Sequence, residues 1–523
     1  MKELVLKSKI KEKINSKNLD IIILLIYAII TFIITIIFHE KWRDEAQAWL
    51  IARDLDFVGI LKQMGYEGHP PLWHFILMPF AKLGFPYMTM SVISWAISCI
   101  TSWLIIKKAP FKRKTKILIL LSAPFIYFYP TIARSYCLIP LATTLIAINY
   151  PKRNEKKISY VLSVLFLAYT HVLMLGLVGI LYLLFFLEQL FFTKKSKNDI
   201  KKLVVALAIA IIGLLCLALI LMGSIKSNND VSVAGTLQIR AHSPQMFIRL
   251  IKLHIKNITY LLWKLEGGIV GVIGNTSGFQ TICFIAIIML LILEFKTNIV
   301  NAVVLCVSCL WQFFIYLFIY ADTAEQKVNT LFIIFIFIAW LNTTDKENKK
   351  NLNNEYIKKI IIQFCMFVLI LSDIYGLSAI QNEIKYLYSD AKNVANFIEE
   401  ELEEDAILVG INAPTPTSIV PFTKNKKIWN ACSNSYYTYM VWDENANVDL
   451  PINQIINNIK ENFSSKDNVY LIESYENRGV LKEENEEIIE LQEKGILSHV
   501  LYMSEIQNLI HTEEAYKIYR VNL

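Results

Sequence analysis

The chain has 523 residues, of which 55% are hydrophobic and only 19% charged, with a mean hydropathy of +0.43. A water-soluble chain of this size would be nearer a quarter charged and would not gather its apolar residues into runs of about twenty, the length that crosses a bilayer as a helix. The net charge of +7 falls mostly as Lys and Arg in short segments beside those runs, so it reports membrane topology rather than a nucleic-acid partner. The eight cysteines are scattered without metal-ligand spacing, and the Cys306/Cys309 pair sits inside an apolar run, so neither a disulfide framework nor a zinc site is expected.

In chain order, a Lys-rich start precedes the apolar run Leu19 to Phe38, which has no small-residue cleavage site and reads as a retained span entered from the cytoplasm. The stretch from His39 to His74 then lies outside. It is dense in charge and Trp, carries the adjacent acids Asp44-Glu45, and ends in Glu67-Gly68-His69-Pro70-Pro71. The next basic cluster, Lys107 to Lys116, is inside, so only one true span, from about Met88, fits between; Leu72 to Leu83 becomes a juxtamembrane helix started by the prolines. Further spans are expected at Ile117–Pro130, Tyr136–Tyr150, an Ile158–Phe192 hairpin turning near His171, Leu203–Met222, Phe279–Leu293, Ile299–Ile319, Val328–Leu341 and Ile360–Leu377. The count is about eleven, with the N-terminus cytoplasmic and the C-terminus outside. An external segment, 223–274, carries Arg249, Lys252 and Lys256 on one face of an interfacial helix over Ser243–Trp263.

After Leu377 the composition turns soluble. Strand-like runs at Ala406–Ile411, Lys427–Ala431, Thr438–Trp442, Val469–Glu473 and His499–Met503 alternate with helical stretches at Ala391–Leu402 and Ile452–Asn462. The expected organisation is a polytopic membrane domain, 1–377, in a plasma membrane, followed by an extracytoplasmic α/β domain, 378–523.

An external carboxylate at the membrane face can take a proton from an attacking hydroxyl or amine. The cations Arg43, Arg53 and Lys62, with His69, can hold phosphate oxygens. Acids beside phosphate-binding cations are what sugar transfer from a lipid phosphate requires. The bland readings are an acidic pair opening a helix at Asp44-Glu45, a snorkelling Arg134 and a packing His171.

Taken together, Arg43-Asp44-Glu45-Ala46-Gln47-Ala48-Trp49, then Gly68-His69-Pro70-Pro71-Leu72-Trp73, then Ala133-Arg134-Ser135-Tyr136 resemble the bacterial polyprenyl-phosphate glycosyltransferases, with the protein O-mannosyltransferases and aminoarabinose transferases. The resemblance is tightest over Phe38 to Tyr150. It implies the GT-C fold, all-α in the membrane, and an inverting glycosyltransferase working on the outer face. It implies Asp44 as general base with Glu45 beside it, and His69 and Arg134 toward the donor; the residues themselves add Arg43, Arg53, Glu67, Tyr136, His171 and Lys327 to the expected donor set. The chain departs from the pattern before the tenth span, where Asp322 to Lys327 offers Lys327 in place of an Arg-His or His-His pair. The implied partners are a polyprenyl-phosphate sugar, the bilayer, and an acceptor glycan, lipid or protein, with no nucleic acid. No cofactor is assigned, and a divalent cation is left open: members of the wider fold differ in metal use, and Asp44-Glu45 could ligate one but falls short of a full site. The rival class is a secondary transporter or lipid flippase, which would place ionisable residues at the membrane midplane and show repeat symmetry; Asp373 is the clearest acid within a span.

Overall fold

The computed structural model of the chain describes residues 18–193, 196–226, 298–318, 325–344, 355–411, 417–423, 427–431, 434–440, 450–463, 468–474, 486–510 and 514–523, with positions 245, 248 and 294 among the remainder. The basic helix expected over Ser243–Trp263, most of segment 223–274 and the span at Phe279–Leu293 lie outside these residues.

Among the described residues seven helices are long and apolar enough to cross a membrane: Asn18–Phe38, Thr89–Lys108, Val172–Phe192, Lys197–Met222, Ile299–Tyr316, Gln326–Thr344 and Cys365–Lys385. The chain is a multi-pass membrane protein, all-α in its membrane part and carrying a mixed β-sheet after it. The expectation of about eleven spans is corrected. Three apolar runs fold into helices too short to cross. Leu138–Asn149 and Lys157–Ala168 are 12 residues each, a rise of about 18 Å against a hydrocarbon core of about 30 Å. The third run breaks. Its helix Arg113–Leu121 stops where Ser122 turns to ψ 149°, and Pro124 opens a π-helical turn through Phe128. Neighbours take up polar groups around the break. The Ser372 hydroxyl accepts from Ala123 N (3.1 Å), Tyr27 donates to the Phe125 carbonyl (2.7 Å) and Ser94 to that of Tyr129 (2.9 Å).

The chain divides into two compact units. The first comprises Met1–Ile37, Ser91–Cys216 and Ile239–Gln381, the second Phe38–Met90, Leu217–Gln238 and Asn382–Leu523. In the first, helix Leu138–Asn149 packs on Lys157–Ala168 and on Glu325–Thr344, and Leu175–Leu187 on Ile299–Phe318. The last long helix, Glu355–Lys385, meets the broken run at Gly376, where the backbone of Ala123 approaches so closely that no side chain fits.

The second unit holds a six-stranded sheet: β1 (Ile407–Gly410), β2 (Ile428–Asn430), β3 (Ser435–Tyr437), β4 (Val469–Ser474), β5 (Tyr502–Met503) and β6 (Tyr516–Arg520), in the order β3-β2-β1-β4-β6-β5. β1 runs parallel to β2 and β4, and the outer pairs are antiparallel. One face packs on helices Ile452–Phe463 and Glu486–Glu493; the other packs on helix Ala391–Glu401 and receives Leu50. The strand expected at Thr438–Trp442 is instead β3, three residues earlier, because the Met440 backbone pairs with a side chain outside the sheet. The expected runs do not include β6 or the helix Glu486–Glu493.

The close approach at Gly376 gives a stability test. A Cβ there would stand 2.8 Å from Ile126 Cγ2 and 3.0 Å from Ala123 Cα, whereas one on Gly179 meets nothing within 4 Å. Gly376→Ala should destabilise the purified protein by about 1–3 kcal/mol, as overpacking does. Its melting temperature should fall below those of wild type and Gly179→Ala; equal melting of the two variants would refute the tight docking.

Candidate functional site

The residues singled out in the sequence gather in two places, one in each unit. In the second unit the chain leaves the first span at Phe38 and passes through His39, Glu40, Lys41 and Trp42 into helix Arg43–Asp54. Asp56 caps the next helix, Phe57–Glu67, accepting from Gly59 N (2.6 Å), and Gly68 ends it with φ 65°, a left-handed turn that a side chain would strain. His69 is half-buried in that turn, just before helix Leu72–Lys82. This last helix is the expected juxtamembrane one, and it packs on Arg43–Asp54.

The two acids of the Asp44-Glu45 pair face different ways. The Asp44 carboxylate is 37% exposed, with Arg43 Nε 3.9 Å away. Glu45 turns inward, fully buried, and its Oε2 lies 2.9 Å from His39 Nε2 while also accepting from Trp42 N at the start of the helix. His39 Nδ1 lies 2.8 Å from Glu383 Oε1, and all three side chains are sealed from solvent. Burial pushes the imidazole pKa down, but Glu45 and Glu383 outweigh it and hold the value at about 10. His39 is therefore an imidazolium at neutral pH, donating both N–H groups. The Tyr388 ring stands edge-on to it at 4.7 Å.

Other groups fix the same helix along its length. Arg43 N donates to Glu514 (3.1 Å), a buried carboxylate that also accepts from Ser389 and Tyr516. Gln47 pairs with both backbone groups of Met440: it donates to the carbonyl (2.9 Å) and accepts from the N–H (2.7 Å). Glu67 accepts from Gln47 (2.7 Å) and Gln63 (3.1 Å). Arg53 engages Asp54 through two nitrogens, at 2.7 and 3.0 Å, and Asp54 also takes the Thr438 hydroxyl. Glu67 and Arg53 thus serve the loop's own structure. Lys41 is buried, its ammonium 3.3 Å from the Met88 sulfur and 5.0 Å above the Tyr87 ring. Burial lowers its pKa to about 8. His39, Lys41, Glu383 and Glu514 were not assigned from sequence; no local pattern signals them, since their partners lie as far as 471 residues away.

In the first unit, Ile132 and Arg134 have extended backbone about a tight turn at Ala133, closed by Arg134 N donating to the Ile132 carbonyl (2.8 Å), and Ser135–Cys137 form a single 3-10 turn before helix Leu138–Asn149. Tyr136 stacks between Tyr129 (6.5 Å) and His171 (4.9 Å). The Tyr129 hydroxyl donates to the carbonyl of Gln326 (3.3 Å), which brings the start of helix Glu325–Thr344, and Lys327 with it, to the same column. His171 Nδ1 accepts from Leu173 N (3.2 Å), so the neutral ring carries its proton on Nε2. Burial pushes the His171 pKa well below the ordinary value, and the charges of Lys327 and Arg134 push it further. Arg134, Tyr136, His171 and Lys327 are therefore neighbours. Among the described residues no three His, Cys, Asp or Glu groups come together as metal ligands.

No protein-family model matches the chain, and no curated protein matches it in sequence. Among solved structures, it is similar to ArnT from Cupriavidus metallidurans, bound to undecaprenyl phosphate in that crystal structure, at 10% sequence identity and a TM-score of 0.48 over 95% of this chain and 97% of that chain.

The His39 triad sets a pH dependence. Its folded pKa is raised from 6.5 to about 10, so its stabilisation is complete below pH 6.5 and is lost as pH rises through about 10. Wild-type melting temperature should fall across that interval. His39→Gln should already be destabilised at pH 6.5 by about 3–5 kcal/mol, the cost of breaking a buried ion pair, and should show less of the fall. A variant that melts like wild type at pH 6.5 would remove the triad's importance.

Proposed function

We propose that the chain is an integral membrane glycosyltransferase that moves a sugar from a polyprenyl-phosphate donor to an acceptor hydroxyl or amine on the extracytoplasmic face, with inversion. The observation that carries this reading is the convergence of Arg134 and Lys327 on a buried neutral histidine. Such a set suits an anion of the phosphate class, with Arg134 as a planar fork, Lys327, in the first turn of its helix, as a point charge and His171 as a neutral donor.

In this reading Asp44, the outward member of its pair, takes the acceptor proton as the acceptor oxygen or nitrogen attacks the anomeric carbon. The bond from that carbon to the phosphate oxygen breaks on the opposite side, and the lipid phosphate leaves with its added negative charge stabilised by the cations. Glu45 cannot share the proton work while it is held by His39, so its part is to position the helix. His69 keeps its place in the donor set, half-buried in its turn.

One observation favours the rival transporter class. Asp373 is buried within the last span, and its Oδ1 makes no hydrogen bond. The test therefore includes it. Membranes carrying wild type should transfer labelled sugar from polyprenyl-phosphate donors, and Asp44→Asn at equal protein level should be slower by about 10²–10⁴-fold, the usual contribution of a general base. Arg134→Ala and Lys327→Ala should lose donor use, while Asp373→Asn keeps transfer. An active Asp44→Asn would remove Asp44 as the base and leave the class standing, whereas a wild type that transfers no sugar from any donor would move the assignment to transport.

A further inference from the structure

Lys41, two residues ahead of helix Arg43–Asp54, carries a charge that its surroundings leave short of acceptors. Its side chain is 2% exposed. Among the described residues its ammonium forms no ion pair and donates to no oxygen; its contacts are the Met88 sulfur at 3.3 Å and the Tyr87 ring at 5.0 Å. Glu40 and Glu45 act on it only through space, Lys392 opposes them, and Glu45 is already matched to His39. An ammonium has three N–H donors, a thioether is a weak acceptor and a ring face offers no lone pair, so the buried charge is under-satisfied.

The two contact residues differ in what can reach them. Tyr87 is buried with Lys41, whereas Met88, the residue before the span Thr89–Lys108, is half-buried. Of the pair, Met88 is also the one whose chemistry readily changes, since a thioether is open to oxidation.

We propose that Met88 is an oxidation site, at which a hydroperoxide converts the thioether to a sulfoxide that the Lys41 ammonium then holds. A sulfur lone pair attacks one peroxide oxygen. The S–O bond forms as the O–O bond breaks, sulfur gives up two electrons, and with hydrogen peroxide the departing oxygen leaves as water, carrying the proton of the oxygen transferred. The new oxygen is a strongly polar acceptor, so the ammonium exchanges a weak contact for a charge-assisted hydrogen bond. A sulfoxide ordinarily disrupts packing by making an apolar side chain polar; here the donors that satisfy it are already in place. The oxidised pair would tie the entry of the helix that carries Asp44 to the residue at the head of a span. Nothing in this proposal rests on the glycosyltransferase reading.

The experiment treats full-length protein in detergent with hydrogen peroxide, locates added oxygen by peptide mass spectrometry and follows thermal melting. Met88 should gain one oxygen, as the exposed Met503 should, and wild type should then melt higher than before treatment by about 1–3 °C. Met88→Leu conserves volume and removes the sulfur; Lys41→Leu removes the donor and a buried charge together. Neither variant should gain stability on treatment, and Lys41→Leu should lose it, because its sulfoxide has no ammonium to hold it. A Met88 left unoxidised while Met503 is converted, a treated wild type that melts no higher, or an equal rise in either variant overturns the proposal.

Discussion

A protonated histidine clasped by two buried carboxylates is the constraint on which the second unit depends. Without its positive charge, Glu45 and Glu383 would be two acids facing each other out of reach of water, an arrangement that protein interiors avoid. With it, the first residues beyond the opening span are tied to the end of the last long helix, at 2.9 and 2.8 Å. That tie also separates the two adjacent acids: Glu45 is held in the clasp, while the Asp44 carboxylate is partly exposed beside Arg43. Glu514 takes up the next backbone N–H, so the helix start is held from two directions by groups distant in sequence.

The electrostatic logic of the first unit is the reverse. There, positive groups are assembled around an uncharged ring, and the nearest aromatic partners, Tyr129 and Tyr136, contribute stacking rather than charge. The broken helix upstream makes the arrangement possible. Because Ser122 and Pro124 interrupt the run, the chain can leave helical geometry again at Ile132 and bring Arg134 out of an otherwise apolar segment. Irregular backbone within apolar surroundings is tolerated where side chains supply the missing bonds, and Tyr27, Ser94 and Ser372 do so.

Much of this was legible in the sequence, for identifiable reasons. Among the described residues seven spans announce themselves by length and hydropathy, and the turn at Gly68 with its prolines carries its own chemistry. Most strands were placed by short apolar runs between turn residues. Span number was over-read because hydropathy registers apolar content and not helical continuity: Ile117–Pro130 is apolar enough but contains its own break. The sheet edge was misplaced by three residues because nothing around Thr438 reveals that Met440 is claimed by Gln47, 393 positions earlier. Arg134 and Tyr136 stand out in the sequence as a motif, whereas their nearness to His171 and Lys327 comes from separate helices and has no local signal. The clasp around His39 did not, since a histidine beside a span looks the same whether its partners are water or glutamate.

The pairing of Gln47 with Met440 has a consequence of its own for how the two positions tolerate change. The contact reads the backbone at 440, one N–H and one carbonyl, so it is indifferent to the side chain there apart from packing, and only proline would abolish the N–H half. At 47 the requirement is strict. An amide offers a donor and an acceptor on one plane, and a carboxylate of the same shape would turn a donor into a second acceptor facing both the Met440 carbonyl and Glu67. Two residues in one contact are therefore under opposite rules: one position can drift in sequence while the other is held to a single chemical group.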